Sequence, residues 1–229
     1  MTQRSMMAGL TPKLVIHAGG SVTVEGWDSD RLQAETDDSN WGLKIERRTE
    51  AEFGRARAKV GEHVLFDLRL TVPKALKKNA DDEVLDVQIG NNGKVRVPRG
   101  SDVKVYAGGD INIKGVYGST ALFAGANLIA RDLHTLTQAS AGGAMDLESD
   151  GVSGDELKFT AGRDLRWYIR RLIDVTYLID DLGGYWEATL GDGRVKIRLK
   201  CGGDVTLVTD QPVRGEMLGK IESPPAAGN

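Results

Sequence analysis

Val103-Lys104-Val105-Tyr106-Ala107-Gly108-Gly109-Asp110-Ile111-Asn112-Ile113 is the stretch whose reading decides the fold. It consists of two short alternating runs joined by a small residue and a glycine pair. In an extended strand successive side chains point to opposite faces, so Val103, Val105 and Ala107 share one face, as do Ile111 and Ile113. Relatives of this pattern recur along the chain: Leu14, Ile16, Ala18, Gly19, Val22 and Val24; Thr120, Leu122, Ala124, Gly125, Leu128 and Ala130; Thr137, Ala139, Ala141, Gly142, Met145 and Leu147; Leu157, Phe159, Ala161, Gly162, Leu165 and Trp167; and Ile197, Leu199, Cys201, Gly202, Val205 and Leu207. A degenerate copy runs through Leu178, Asp180, Leu182, Gly183, Trp186 and Ala188.

The small anchor falls at positions 107, 124, 141, 161, 182 and 201, a period of 17 to 21 residues. Helical arrays repeat at longer periods and with helical patterning. Two short strands per repeat predict an all-β single-stranded parallel β-helix (β-solenoid). One coil cannot bury its own apolar face, and stacked coils can. Val103, Val105, Ile111, Ile113, Leu122, Leu128, Met145, Leu147, Leu157, Phe159, Leu165, Trp167, Ile197, Leu199, Val205 and Leu207 are the expected core. Gly108, Gly142 and Gly202 are expected to turn the corner with positive φ, which glycine adopts without a Cβ clash.

Residues 1–102 read as an irregular N-terminal β region continuous with the repeats. Residues 103–210 are the regular coils, and residues 211–229 a C-terminal tail. Between 26 and 98 the repeat is blurred, although alternation persists at 43–46, 64–70, 84–89 and 95–97. Gly90-Asn91-Asn92-Gly93 between two such runs signals a hairpin. Residues 50–62 and 73–83 are charged and read as surface loops, with a short helix near Ala75. The irregular part is expected to shield the first coil, and the last coil to be covered by residues 213–222 or by a second molecule.

Gly20-Ser21-Val22-Thr23-Val24-Glu25-Gly26-Trp27-Asp28, then Val97-Pro98-Arg99-Gly100-Ser101-Asp102-Val103, then the repeated Gly-Gly-Asp-apolar-x-apolar, resemble the bacterial putative-adhesin family of β-strand-repeat proteins. That family is similar in pattern to bactofilins, which are polymer-forming β-solenoids. The resemblance spans most of 14–210. It implies the fold far more specifically than a function.

Composition narrows the function classes. Thirty basic against 33 acidic residues give a net charge of −3, which argues against a dedicated nucleic-acid binder. Glycine is 29 of 229 residues, nearly twice the usual ~7%. One cysteine, Cys201, allows no internal disulfide. No run of ~18 apolar residues is present to span a membrane as a helix. The first twenty residues hold no apolar run of signal-peptide length. A cytoplasmic location is therefore expected, or a cell-surface one if a leader has been removed.

Five constellations bear on chemistry. Asp110, Asp164 and Asp204 share one repeat position, as a calcium row would, but Ser21, Asn127, Ala144 and Tyr185 occupy it elsewhere; carboxylates accepting corner N–H groups explain them more simply. The glycine pairs match no phosphate-binding loop. His17, His63, His134 and Cys201 lack ligand spacing. Asp180, Asp181, Glu187 and Asp192 suggest the acids of a glycan-cleaving enzyme, with a bulge as the cheaper explanation. Arg163, Arg166, Arg170, Arg171, Arg194, Lys196, Arg198 and Lys200 form a basic surface able to meet an anionic polymer; a solvated face that discourages edge pairing is the alternative.

The expectation is a non-enzymatic structural protein engaged in self-assembly or adhesion-like binding. No cofactor or metal is expected. Its expected partners are itself, as dimer or filament through the ends of the stack, and a glycan or anionic polymer. A glycan-binding module is the second reading and a carbohydrate-active enzyme the third.

Overall fold

A computed structural model describes residues 1–37, 42–49, 58–60, 63–66, 83–152, 156–170, 175–177, 185–190, 195–209 and 221–222. Its strands in chain order are β1 (Thr2–Met7), β2 (Lys13–Ala18), β3 (Val22–Trp27), β4 (Arg31–Thr36), β5 (Leu43–Thr49), β6 (Ala58–Val60), β7 (His63–Phe66), β8 (Glu83–Ile89), β9 (Gly93–Pro98), β10 (Asp102–Ala107) and β11 (Ile111–Lys114). They continue with β12 (Ser119–Ala124), β13 (Leu128–Ala141), β14 (Met145–Val152), β15 (Glu156–Ala161), β16 (Leu165–Ile169), β17 (Val175–Tyr177), β18 (Tyr185–Leu190), β19 (Val195–Cys201), β20 (Val205–Thr209) and β21 (Ile221–Glu222).

Nineteen of these belong to one sheet, while β6 and β7 pair only with each other. The large sheet has two rows. In the first row β8, β2, β10, β12, the second half of β13, β15 and β19 lie side by side in parallel. In the second row β9, β3, β11, the first half of β13, β14, β16, β20 and β21 do the same. The fourteen-residue β13 runs through both rows and joins them, so the sheet curls into a nearly closed barrel.

The sheet is mixed, and this overturns the purely parallel β-helix expected from the repeat. Antiparallel β5 lies on β8 at one end of the first row, and antiparallel β18, followed by β17, on β19 at the other. Antiparallel β4 and β1 close the second row beyond β9. Four residues separate β18 from β19, enough for an antiparallel return but not for a parallel crossover.

Four local readings are corrected with it. The degenerate copy at 178–188 is not a rung: β15 pairs directly with β19, through Leu157↔Ile197 and Phe159↔Leu199, and β18 lies outside them reversed. Residues 178–183 of that copy, Asp180 included, lie outside the described residues. Gly90-Asn91-Asn92-Gly93 makes no hairpin: β8 and β9 pair with β2 and β3 instead, so the segment is a corner of the same kind as Ala18–Ser21. Residues 83–98 are thus a missed rung outside residues 13–27, and Ile89 in the small-anchor place hid it. Thr137 is not inward either; a register shift after Thr120 seats Leu136 in the core, and the Thr137 hydroxyl donates to the Thr120 carbonyl at 2.9 Å. Within the stretches read as charged loops, β6 at 58–60 is a strand; the helix near Ala75 falls outside the described residues.

The core is one continuous apolar column. Every residue of the expected inward set with a described side chain is buried except Val205, which is half-buried; the Leu207 side chain is not described. Trp167, fully buried, meets Phe159 edge-on at 4.6 Å and donates its indole N–H to the Ser149 hydroxyl at 3.0 Å.

The corner glycines are correctly placed but for another reason than expected. Positive φ occurs at Gly9, Gly42 and Gly115, and not at Gly108, Gly142 or Gly202. What the corner demands is closeness: a Cβ on Gly108 would lie 2.3 Å from the Gly19 carbonyl oxygen, one on Gly142 2.2 Å from that of Gly125, and one on Gly202 2.4 Å from that of Gly162. Each rung's glycine occupies the space a methyl group would need against the rung beneath.

Candidate functional site

The parallel register sets outward side chains in files across the first row. One file reads Gln88, His17, Tyr106, Phe123, Ser140, Thr160 and Lys200, and the next reads Asp86, Val15, Lys104, Ala121, Gln138, Lys158 and Arg198. Three aromatic rings follow one another in the first file. His17 stacks on Tyr106 at 5.2 Å and 6°, and Tyr106 on Phe123 at 4.8 Å and 11°. These separations match the strand spacing, so stacking follows from register alone. The Lys104 ammonium sits 5.4 Å from the Tyr106 ring centre and 5.6 Å from that of Phe123. Burial pulls the Lys104 pKa below its usual value and pushes that of Tyr106 well above the ordinary phenol range.

The file begins at a buried acid. Asp86 is 2% exposed; its Oδ2 accepts from Gln88 at 2.6 Å and meets Arg48 at 3.2 Å. Its Oδ1 has no hydrogen-bond partner and lies 3.9 Å from His17 Nε2. Burial lowers the His17 pKa; Asp86 opposes that shift, while Arg48 and Lys104 add to it.

A second constellation lies around the start of the bent middle of β13. Arg99 bonds Asp28 at 2.7 Å and the Tyr117 hydroxyl at 3.2 Å, and Asp28 raises its pKa. The Tyr117 ring lies 4.7 Å from His134, which pairs with Asp150 at 2.9 Å. Arg170 joins Glu148, Asp150 and Asp132, and its pKa is raised chiefly by the Glu148 contact. Asp132 holds φ at 52°, a value rare for residues with a side chain. Carboxylates outnumber cations in this cluster.

The expected basic surface is divided by the fold. Lys196, Arg198 and Lys200 are on β19 in the first row, Arg166 is on β16 in the second, and Arg163 is at the corner between. Arg170 is taken up by the acidic cluster. Arg171 and Arg194 lie outside the described residues, as do Asp181 and Asp192. Lys200 is exposed.

The shared Asp position is structural. Asn92 Oδ1 accepts the Ser21 N–H, Ser21 Oγ that of Asp110, Asp110 Oδ1 that of Asn127, Asn127 Oδ1 that of Ala144, and Asp164 Oδ1 that of Asp204, all at 2.7 to 3.1 Å. Each side chain caps the corner of the next rung rather than its own. Among the described residues no three His, Cys, Asp or Glu side chains form a group able to hold a metal. Cys201 is buried against the Gly203 carbonyl, and burial raises its thiol pKa.

Sequence reasoning missed the aromatic file, although its signal was present: His17, Tyr106 and Phe123 each directly precede the small anchor, at Ala18, Ala107 and Ala124.

No protein-family model and no curated protein matches the chain. A solved structure is similar over 97% of this chain and 98% of its own: a crystal structure described as a putative cell adhesion protein from Clostridium sporogenes ATCC 15579, with 9% identity and a TM-score of 0.35. The bactofilin part of the resemblance gains no support from it. No helix among the described residues is long and apolar enough to cross a membrane.

Proposed function

We propose that this chain is a non-enzymatic binding scaffold that works by adhesion-like surface contact. The observation that carries the reading is the filled interior: side chains from both rows pack into one core, with Ile16, Val24, Val105, Ile113, Leu122, Leu128, Leu147 and Trp167 at 0% exposure. Chemistry able to meet a partner is displayed on the outer faces, in files whose successive side chains lie one strand spacing, about 4.8 Å, apart. The face of the first row is stiff, because each of its strands is hydrogen-bonded on both sides, and a stiff face loses little conformational freedom on binding.

The fold gives less support to self-association through the ends of the two rows. Antiparallel strands cover both ends of the first row, and β21 lies on β20 at one end of the second. The test is adherence under flow: beads carrying the intact chain against polysaccharide-coated and cell-coated surfaces, beside beads carrying an inert protein. Retention several-fold above the inert beads is the expected result. Equal wash-off from every surface would refute the reading.

A further inference from the structure

We propose that the step where the aromatic file ends, at Phe123 above Ser140 and Thr160, is a subsite for an acidic saccharide; this rests on the binding reading above. Phe123 has one ring face covered by Tyr106, at 4.8 Å. Its other face looks along the file toward Ser140, in register on the next strand, and then Thr160 and Lys200. Ser140 and Thr160 are too small to continue the stack. The file therefore drops from a ring to two hydroxyls and rises again at a lysine, three strand spacings or roughly 14 Å from Phe123. Ser140 is half-buried and Thr160 exposed, so the floor of the step is open.

The donors and acceptors of this step suit a sugar. The apolar C–H face of a pyranose stacks on an aromatic ring, while its hydroxyls need small donors and acceptors close by. Ser140 and Thr160 offer hydroxyls at the floor, and Gln138 an amide in the adjoining file. Charge then selects within the class. From β12 to β15 these two files hold no acid, Lys200 follows on β19, and Glu187 of β18 stands in register with Arg198 one strand beyond. Lys104 adds a cation on the covered side of Phe123. Cations bordering a ring and hydroxyls complement a carboxylate- or sulfate-bearing sugar and give a neutral one no advantage. The acidic cluster around Asp132 and Asp150 has the opposite bias.

The experiment is calorimetric titration of the full chain with a polyuronate hexasaccharide, a sulfated hexasaccharide and a neutral hexasaccharide. The variants are Phe123→Ala, Ser140→Phe and Lys200→Gln, with Lys114→Gln on the second row as control. Binding of at least one acidic oligosaccharide, tenfold or more tighter than the neutral one, is expected. Phe123→Ala and Ser140→Phe should each weaken it at least tenfold, and Lys200→Gln at least threefold with a shallower salt dependence; Lys114→Gln should leave it unchanged. Ser140→Phe extends the existing stack into the step, so it blocks the site without removing a packed ring. Acidic-sugar binding that survives Ser140→Phe overturns the subsite. So does the absence of such binding while bead adherence persists, or binding of anionic phospholipid vesicles insensitive to Phe123→Ala. Loss of bead adherence to every surface overturns the scaffold reading itself.

Discussion

Replacing Gly142 by alanine tests the physical reason for the repeat. A Cβ built there lies 2.2 Å from the Gly125 carbonyl oxygen, and both groups are backbone, so no side chain can swing away. Restoring an ordinary contact requires the rungs to part by about 1 Å. The same corner holds the Gly142 N–H on the Ala124 carbonyl at 3.1 Å and the Gly162 N–H on the Ala141 carbonyl at 2.9 Å. A 1 Å separation takes at least one such bond beyond useful length. Overpacking costs about 1–3 kcal/mol and a buried bond left unmade about another 1–3 kcal/mol. A loss of about 3 kcal/mol follows, or roughly 6–12 °C in Tm for a chain of this size. Gly9 is the discriminating control: its φ is +82° and nothing lies within 4 Å of its Cβ position. Asparagine tolerates positive φ, so Gly9→Asn is expected to cost under about 1 kcal/mol, while Gly142→Asn is as damaging as Gly142→Ala. Differential scanning calorimetry on the three variants and the parent decides it. A Gly142→Ala Tm within about 1 °C of the parent, or equal losses at Gly9 and Gly142, would refute the close-approach account.

Three further outcomes are expected. Ala144 interrupts the corner caps, leaving the Asp164 N–H without the side-chain acceptor its counterparts have, so Ala144→Asn should add about 1 kcal/mol, read as a higher urea midpoint; an unchanged midpoint would count against the caps. Trp167→Ala removes the largest fully buried side chain and orphans the Ser149 hydroxyl, at a cost of about 3–5 kcal/mol; a loss below about 1 kcal/mol by urea melt would mean the core is not packed as described. The His17 pKa is lower in the fold than its unfolded value of 6.5, so the unfolded chain takes up the proton first. Stability should therefore fall as pH drops below about 6.5, and level off once pH passes below the folded pKa; His17→Gln should flatten that dependence, and identical slopes in parent and variant would dismiss it.

Local sequence carried the rungs a long way. Alternation placed Val103, Val105, Ile111 and Ile113 inward, and the small-residue–glycine corner marked where each pair of strands turns. It did not carry the reason for the glycine, because a close approach between Gly142 and Gly125 is a contact between segments seventeen residues apart and leaves no mark in either segment's own dihedral preference. The candidate site was legible only in pieces. Tyr106, Phe123, Ser140 and Thr160 stand each in its own repeat, and only the register brings them into one file. The basic residues, adjacent on paper, are divided between two rows because β16 and β19 belong to different faces.

The sequence by itself determined most of the inward set from 103 to 199, the two-strand unit and the position of its corner, because period-two alternation and a small residue before glycine are set by nearest neighbours. Only the tertiary structure decided the order and sense of the units. Residues 83–98 lie outside residues 13–27, β15 meets β19 across a gap of more than thirty residues, and β1, β4, β5, β17 and β18 run antiparallel. Backbone hydrogen bonding between strands is blind to side-chain identity. Partner and direction are therefore chosen by which pairing buries the most apolar surface and covers the open edges, a property of the whole chain and not of any strand in it.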